Sequence, residues 1–233
     1  MAADDPLAGY DRLAEATDPY CLAAGEAARL LAGHPWKRFA VIGDSVASGV
    51  GDPVPGYVEL AWCDRIRVEL AAQQPDLVYL NLGVRELRAA EVRATQLDEA
   101  LRFGPDLALV VAGGNDALRR SYQPDAVDTE LAAMVEALQE AGAEVITVGI
   151  FDASYAPSFP VAVKPQVSER MMTLSRRTAA LAARLGTLHV NCTGHPTERD
   201  PASYSADGIH GNLRSHGICA ALTIRRLGTH LGR

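Results

Sequence analysis

Residues 39–47, Phe39-Ala40-Val41-Ile42-Gly43-Asp44-Ser45-Val46-Ala47, carry a short apolar run into a glycine, an acid and a serine. Such a run, closed by Gly-Asp-Ser, reads as a buried strand whose C-terminal end turns toward a helix. Comparable runs follow at residues 77–80, 107–111, 145–150 and 188–191, with helix-length intervals between them. Leu131, Met134, Val135 and Leu138 recur at helical spacing between the third and fourth runs. Val167, Met171, Leu174, Leu181 and Leu185 do the same after the fourth. Trp62, Ile66 and Leu70 are expected to face inward from the first crossover helix, and Leu87, Ala94, Leu97 and Leu101 from the second. The alternation predicts a flavodoxin-like, three-layer α/β/α sandwich around a five-stranded, mostly parallel sheet.

Residues 1–36 stand outside this alternation. Asp18-Pro19 has the form of a cap and first helical turn, predicting a helix through Leu31. The expected organisation is therefore an N-terminal helical extension over residues 1–36, packed on a domain over residues 37–233. The 233 residues, 48% hydrophobic, suffice for one sizeable core. A net charge of −7 opposes a broad nucleic-acid or anionic-membrane surface, which would need clustered Lys and Arg. The start of the chain is acidic, unlike the basic and then apolar opening of an export signal, and no apolar run approaches membrane-span length. Cys21, Cys63, Cys192 and Cys219 form no CxxC pair and read as reduced, packed thiols. Together these features give a cytoplasmic expectation.

Four short words supply the chemistry. Ser45 falls just past the first strand, where amides at a helix start are free to donate; in isolation it would equally be a capping serine. Asn81-Leu82-Gly83 follows the second strand, and Gly113-Gly114-Asn115-Asp116 the third. Such residues dominate ordinary turns, but three turns at one sheet edge face one crevice. There, glycine amides and the Asn115 carboxamide can donate to an oxygen that becomes negative during reaction. Asp207 and His210, three apart in Asp207-Gly208-Ile209-His210, can pair so that the imidazole serves as a base toward Ser45. His34, His189 and His230 lie in less suitable places, and His195 and His216 are spare candidates. A metal site from His195, Asp207, His210 and His216 has no recognisable ligand spacing, so neither metal nor cofactor is expected.

Taken in order, GDS, NLG, GGND and DGIH make the chain, over residues 38–220, resemble the SGNH or GDSL-type esterase and lipase family, with Val46 in place of the usual Leu. The resemblance implies Ser45 as nucleophile, His210 as base and Asp207 as its orienting acid. It also implies an oxyanion hole of the Ser45 and Gly83 amides and the Asn115 side chain. The implied activity is hydrolysis of a small soluble acyl ester, by an O-deacetylase or carboxylesterase, through an acyl-serine. An acyltransferase or thioesterase tailoring a natural product would use the same site, and a noncatalytic small-molecule-binding protein could keep the same fold. Only 6% of residues are aromatic, which disfavours a lipid-interface enzyme. Possible substrate contacts are Asp44, Arg85, and Tyr155 and Phe159 in the proline-rich segment 152–165. Arg119 and Arg120 are further cations near the crevice. Neither nucleic acid nor membrane is expected as a partner, and oligomeric state is left open.

Overall fold

The computed structural model describes residues 6–7 and 9–233. The acidic start read above falls partly at residues 1–5, outside the described residues. In chain order the elements are α1 (Glu26–Leu30), β1 (Arg38–Gly43), α2 (Ser45–Ser48), α3 (Trp62–Gln73), β2 (Val78–Asn81), α4 (Ala89–Phe103), β3 (Leu107–Val111), α5 (Gly114–Ala117), α6 (Pro124–Glu140), β4 (Glu144–Gly149), α7 (Lys164–Leu185), β5 (Leu188–Asn191) and α8 (Leu213–His230). The five strands are parallel, in the order β2-β1-β3-β4-β5. This is a doubly wound order, with its switch point beside β1, where Ser45 follows.

Successive side chains of a strand point to opposite faces, and here both faces are covered. Phe39, Val41, Leu107, Leu109 and Ile146 meet Trp62, Ile66 and Leu70 of α3 and Ile224 of α8. Ile42, Ala108, Val110 and Val145 meet Val92 of α4, Leu131 and Met134 of α6, and Met171 of α7 on the other side. Burying each such aliphatic side chain contributes roughly 1.5–3 kcal/mol. The central strands β1, β3 and β4 accordingly read as nearly continuous apolar runs, whereas the edge strands β2 and β5 are only partly covered.

Two helical expectations need correction. In α4 the buried residues are Ala89, Val92, Gln96 and Ala100; Leu87, Leu97 and Leu101 are half-buried and pack against the core as expected, whereas Ala94 is exposed. Small side chains bring this helix close to the sheet, where the buried Gln96 amide clamps the end of β1. Its Oε1 accepts from Gly43 N at 2.7 Å and its Nε2 donates to Gly43 O at 2.9 Å. Near the N-terminus, the helix covers only Glu26–Leu30 and Asp18 does not cap it. The Asp18 carboxylate is instead claimed by Tyr57 Oη (2.8 Å) and Arg214 Nε (2.8 Å), and Gly25, in a left-handed conformation, starts the helix. Leu30, Leu31 and Trp36 enter the same core as β1 and α8.

Candidate active site

At the C-terminal end of β1 the chain turns through Asp44 into the single helical turn of α2. Asp44 Oδ1 accepts from Val46 N at 3.0 Å and so caps that turn. The cap leaves Ser45 at the first helical position. Gly43 is required by close approach, because a Cβ there would lie 2.1 Å from Val111 O. Asp44 is only 2% exposed, and burial, with Asp116 nearby, pushes its carboxyl up to about 7.

The segment before α8 returns to this turn. His210 Nε2 stands 2.8 Å from Ser45 Oγ, and His210 Nδ1 stands 2.6 Å from Asp207 Oδ2. With the carboxylate accepting from Nδ1–H, Nε2 is left to accept the Ser45 proton. Asp207 Oδ1 also accepts from the amides of Ile209 and His210, at 3.0 Å each. Burial acts to raise the Asp207 pKa, but the hydrogen bonds from His210 and these amides outweigh it and hold the carboxyl below its ordinary value. Asp52 ties the two loops together: its N–H donates to Ser205 Oγ at 2.9 Å, its Oδ2 accepts from Ala206 N at 2.6 Å, and its carbonyl accepts from Leu213 N at 3.0 Å. The relay from Asp207 through His210 to Ser45 thus spans residues far apart in sequence, held in register by the backbone and side chains of Asp52 and Ser205.

Ser45, Asn115, His210, Asp207, Asp44 and Arg85 all border one cavity of about 420 Å3. Asn115 Nδ2 donates one hydrogen to Leu87 O at 3.0 Å, which orients the carboxamide and leaves its second N–H for a ligand. Asp116, from the same motif, has a separate duty: its Oδ2 accepts from Ala89 N at 2.9 Å and caps α4 from a neighbouring loop.

Gly83 is not brought to the cavity. Its N–H donates to Asn81 Oδ1 at 2.9 Å, and a Cβ on it would meet Ser48 N at 2.4 Å, so this glycine is needed for packing against the Ser45 turn. The residue of that loop that reaches the cavity is Glu86. It is the one non-glycine among the described residues with a left-handed backbone (φ 69°), and its N–H has no acceptor among the described residues. No motif marks it, because left-handed glutamate carries no compositional signal.

Tyr155 and Phe159 do not border the cavity either. The Arg199 guanidinium lies over the Tyr155 ring at 5.1 Å, and Phe159 packs on the α6/α7 side of the core. Phe151, immediately before that segment, and Ala153, near its start, border the cavity instead. Ser158 N donates to Gly208 O at 2.9 Å, so the segment braces the Asp207–His210 loop. Arg119 and Arg120 are exposed away from the cavity, and the Arg119 carbonyl accepts from Arg170 Nη1 at 2.6 Å.

The spare histidines have structural surroundings. His216 Nδ1 accepts from Trp62 N at 3.1 Å, so its Nε2 carries the proton and faces Val50 O at 3.2 Å. Burial lowers its pKa to about 4, making it a neutral brace beneath the Ser45 turn. His195 bonds Thr197 and packs edge-on against Tyr20. Among the described residues no group of three or more His, Cys, Asp or Glu is placed to hold a metal ion.

The arylesterase of Vibrio mimicus is 24% identical over 131 residues, which is 56% of this chain and 60% of that protein, so the chain spans less than two thirds of this relative. An α/β hydrolase from the metagenome of Lake Arreo superposes with a TM-score of 0.66 at 20% identity, over 84% of this chain and 96% of the other. An acetylxylan esterase from Geobacillus stearothermophilus gives 0.66 at 18% identity, over 84% and 95%. The model of the GDSL-like lipase/acylhydrolase family matches residues 41–218, from the strand that delivers Ser45 to the helix that follows His210, and the chain belongs to that family.

Proposed function

We propose that this chain is a serine esterase that hydrolyses a small acyl ester through an acyl-Ser45 intermediate. The observation that carries the reading is the continuous relay from Asp207 to His210 to Ser45, at 2.6 and 2.8 Å, opening on a cavity. Ser45 Oγ attacks the ester carbon while His210 Nε2 takes its proton, and the carbonyl π electrons move onto oxygen. When the tetrahedral intermediate collapses, the carbon–oxygen bond to the alcohol breaks and His210 returns the proton to the departing alkoxide. Water then repeats the sequence on the acyl-serine and releases the acid. Asp207 keeps the imidazole in the required tautomer and stabilises it when protonated.

The developing oxyanion is served by the Ser45 N–H at the start of α2, the free N–H of Asn115 and the amide of Glu86. Glu86 replaces Gly83 in this role because the Gly83 hydrogen is already committed to Asn81. The Vibrio relative named as an arylesterase and the Geobacillus structure of an acetylxylan esterase support ester chemistry in this family.

Ser45→Ala should lose fluorophosphonate labelling and p-nitrophenyl ester turnover while keeping its circular dichroism. Asn115→Ala should retain labelling but lose about 3 kcal/mol of transition-state stabilisation, a hundred- to thousandfold in kcat. Undiminished turnover by folded Ser45→Ala would overturn the assignment.

A further inference from the structure

The cavity beside Ser45 is larger and more apolar than a two-carbon acyl group requires. Its apolar lining includes Val148, Ile150, Phe151, Met171, Cys192 and Cys219, of which Val148, Met171 and Cys192 are buried and the others half-buried. Val148, Ile150, Phe151 and Cys192 lie at or just beyond the ends of β4 and β5, with Met171 of α7 and Cys219 of α8 bordering the same space, whereas Arg85 and Glu86, in the loop after β2, are exposed. An acetyl group displaces the equivalent of about two waters, each near 30 Å3 of liquid. That is a small part of 420 Å3.

The polar groups bordering the interior are already committed. Tyr204 Oη donates to Glu198 O at 2.6 Å, and Ser215 Oγ to Ser203 O at 2.7 Å. Both nitrogens of His216 are engaged, by Trp62 N and Val50 O. A hydroxylated group entering this space would give up its water and find few partners, a penalty that an aliphatic chain does not pay.

The mouth has the opposite character. Arg85, Glu86 and Asp207 are exposed, and Arg85 has no ion-pair partner among the described residues. The relay also fixes a direction. The leaving alcohol must lie near His210 Nε2 to receive its proton and must depart before water arrives, which favours the solvent side for the alcohol and the apolar lining for the covalently held acyl group.

We propose that the acyl group is an unbranched apolar chain of medium length, hexanoyl rather than acetyl, seated against Val148, Met171 and Cys192; this rests on the esterase reading above. Each methylene buried there raises kcat/KM by up to about fourfold, the equivalent of ~0.8 kcal/mol.

The test is a p-nitrophenyl ester series from acetate to decanoate with the wild-type protein, alongside a series of alcohols esterified to one fixed acid. The expected result is a kcat/KM at hexanoate at least tenfold above acetate, a fall once the chain outgrows the cavity, and a shallow dependence on the alcohol. Cys219→Phe, which fills the interior, should shift the optimum to shorter chains, and Met171→Ala should shift it to longer ones. Fluorophosphonate labelling with a flat acyl series, or an optimum at acetate, would overturn this proposal and leave the esterase reading standing. A steep alcohol series with a flat acyl series would likewise overturn it, by assigning the cavity to the alcohol. Absence of both labelling and turnover would overturn the two together.

Discussion

Asp44 offers a quantitative test of how the nucleophile turn is built. Its carboxyl is 2% exposed, caps α2 through Val46 N and lies near Asp116. Burial raises its pKa from 3.8 to about 7 in the folded state. Between those values the folded chain holds a proton that the unfolded chain has lost, so stability falls as pH rises from about 4 to about 7 and levels off above. At about 1.4 kcal/mol per pH unit, this interval corresponds to a loss of about 4 kcal/mol. No discount for solvent screening applies to a group this deeply buried. Asp44→Asn keeps an oxygen acceptor for Val46 N and cannot ionise. The quantity to measure is the difference in urea-unfolding free energy between wild type and Asp44→Asn at intervals from pH 4 to pH 8. It should move in favour of the variant by about 4 kcal/mol across that range. Other titrating groups contribute nearly equally to both proteins and largely cancel, as does any constant cost of the amide. Parallel stability profiles for the two proteins would show that the Asp44 carboxyl titrates as an ordinary exposed acid and would refute this account of the turn.

Two further substitutions separate the neighbouring loop's roles. Gly83→Ala places a methyl 2.4 Å from Ser48 N and 2.7 Å from the Ala47 carbonyl carbon, backbone atoms that cannot swing away. It should therefore lower thermal stability by an amount typical of overpacking, about 1–3 kcal/mol, as well as activity; an unchanged melting temperature with activity alone lost would return Gly83 to the oxyanion hole. Glu86→Gly relieves a left-handed non-glycine but adds freedom to the unfolded chain, two effects of about 1 kcal/mol that oppose each other. Stability and ester turnover should both stay close to wild type, because the amide is retained, and a loss beyond a hundredfold would show that the site depends on the carboxylate.

Much of the fold was legible because both sheet faces are covered. That forces the central strands into nearly unbroken apolar runs, and the segments 107–111 and 188–191 coincide with β3 and with the edge strand β5. The α4 face was harder to see. Its seat on the sheet is governed by small residues and by Gln96, whose polarity disguises a buried position in a helical pattern. The N-terminal segment misled for a related reason. Asp18 has the chemistry of a helix cap, but Arg214 and Tyr57, remote in sequence, provide stronger partners for its carboxylate.

By itself, the sequence determined the order of strands and helices, the family and the side chains available at the sheet's C-terminal edge, because these follow from local periodicity and from turn residues at strand ends. It also singled out the pairing of Asp207 with His210, which three residues of spacing make local. Only the tertiary structure decided that His210 meets Ser45 across 165 positions of chain, that the Gly83 amide is spent within its own loop, and that Glu86 rather than Gly83 reaches the cavity. It alone also decided that Phe151, and neither Tyr155 nor Phe159, forms the wall. The reason is common to all of these. A motif states which donors and acceptors exist, whereas their availability depends on which partners the rest of the fold brings within 3 Å, and that competition is settled only when the chain has closed on itself.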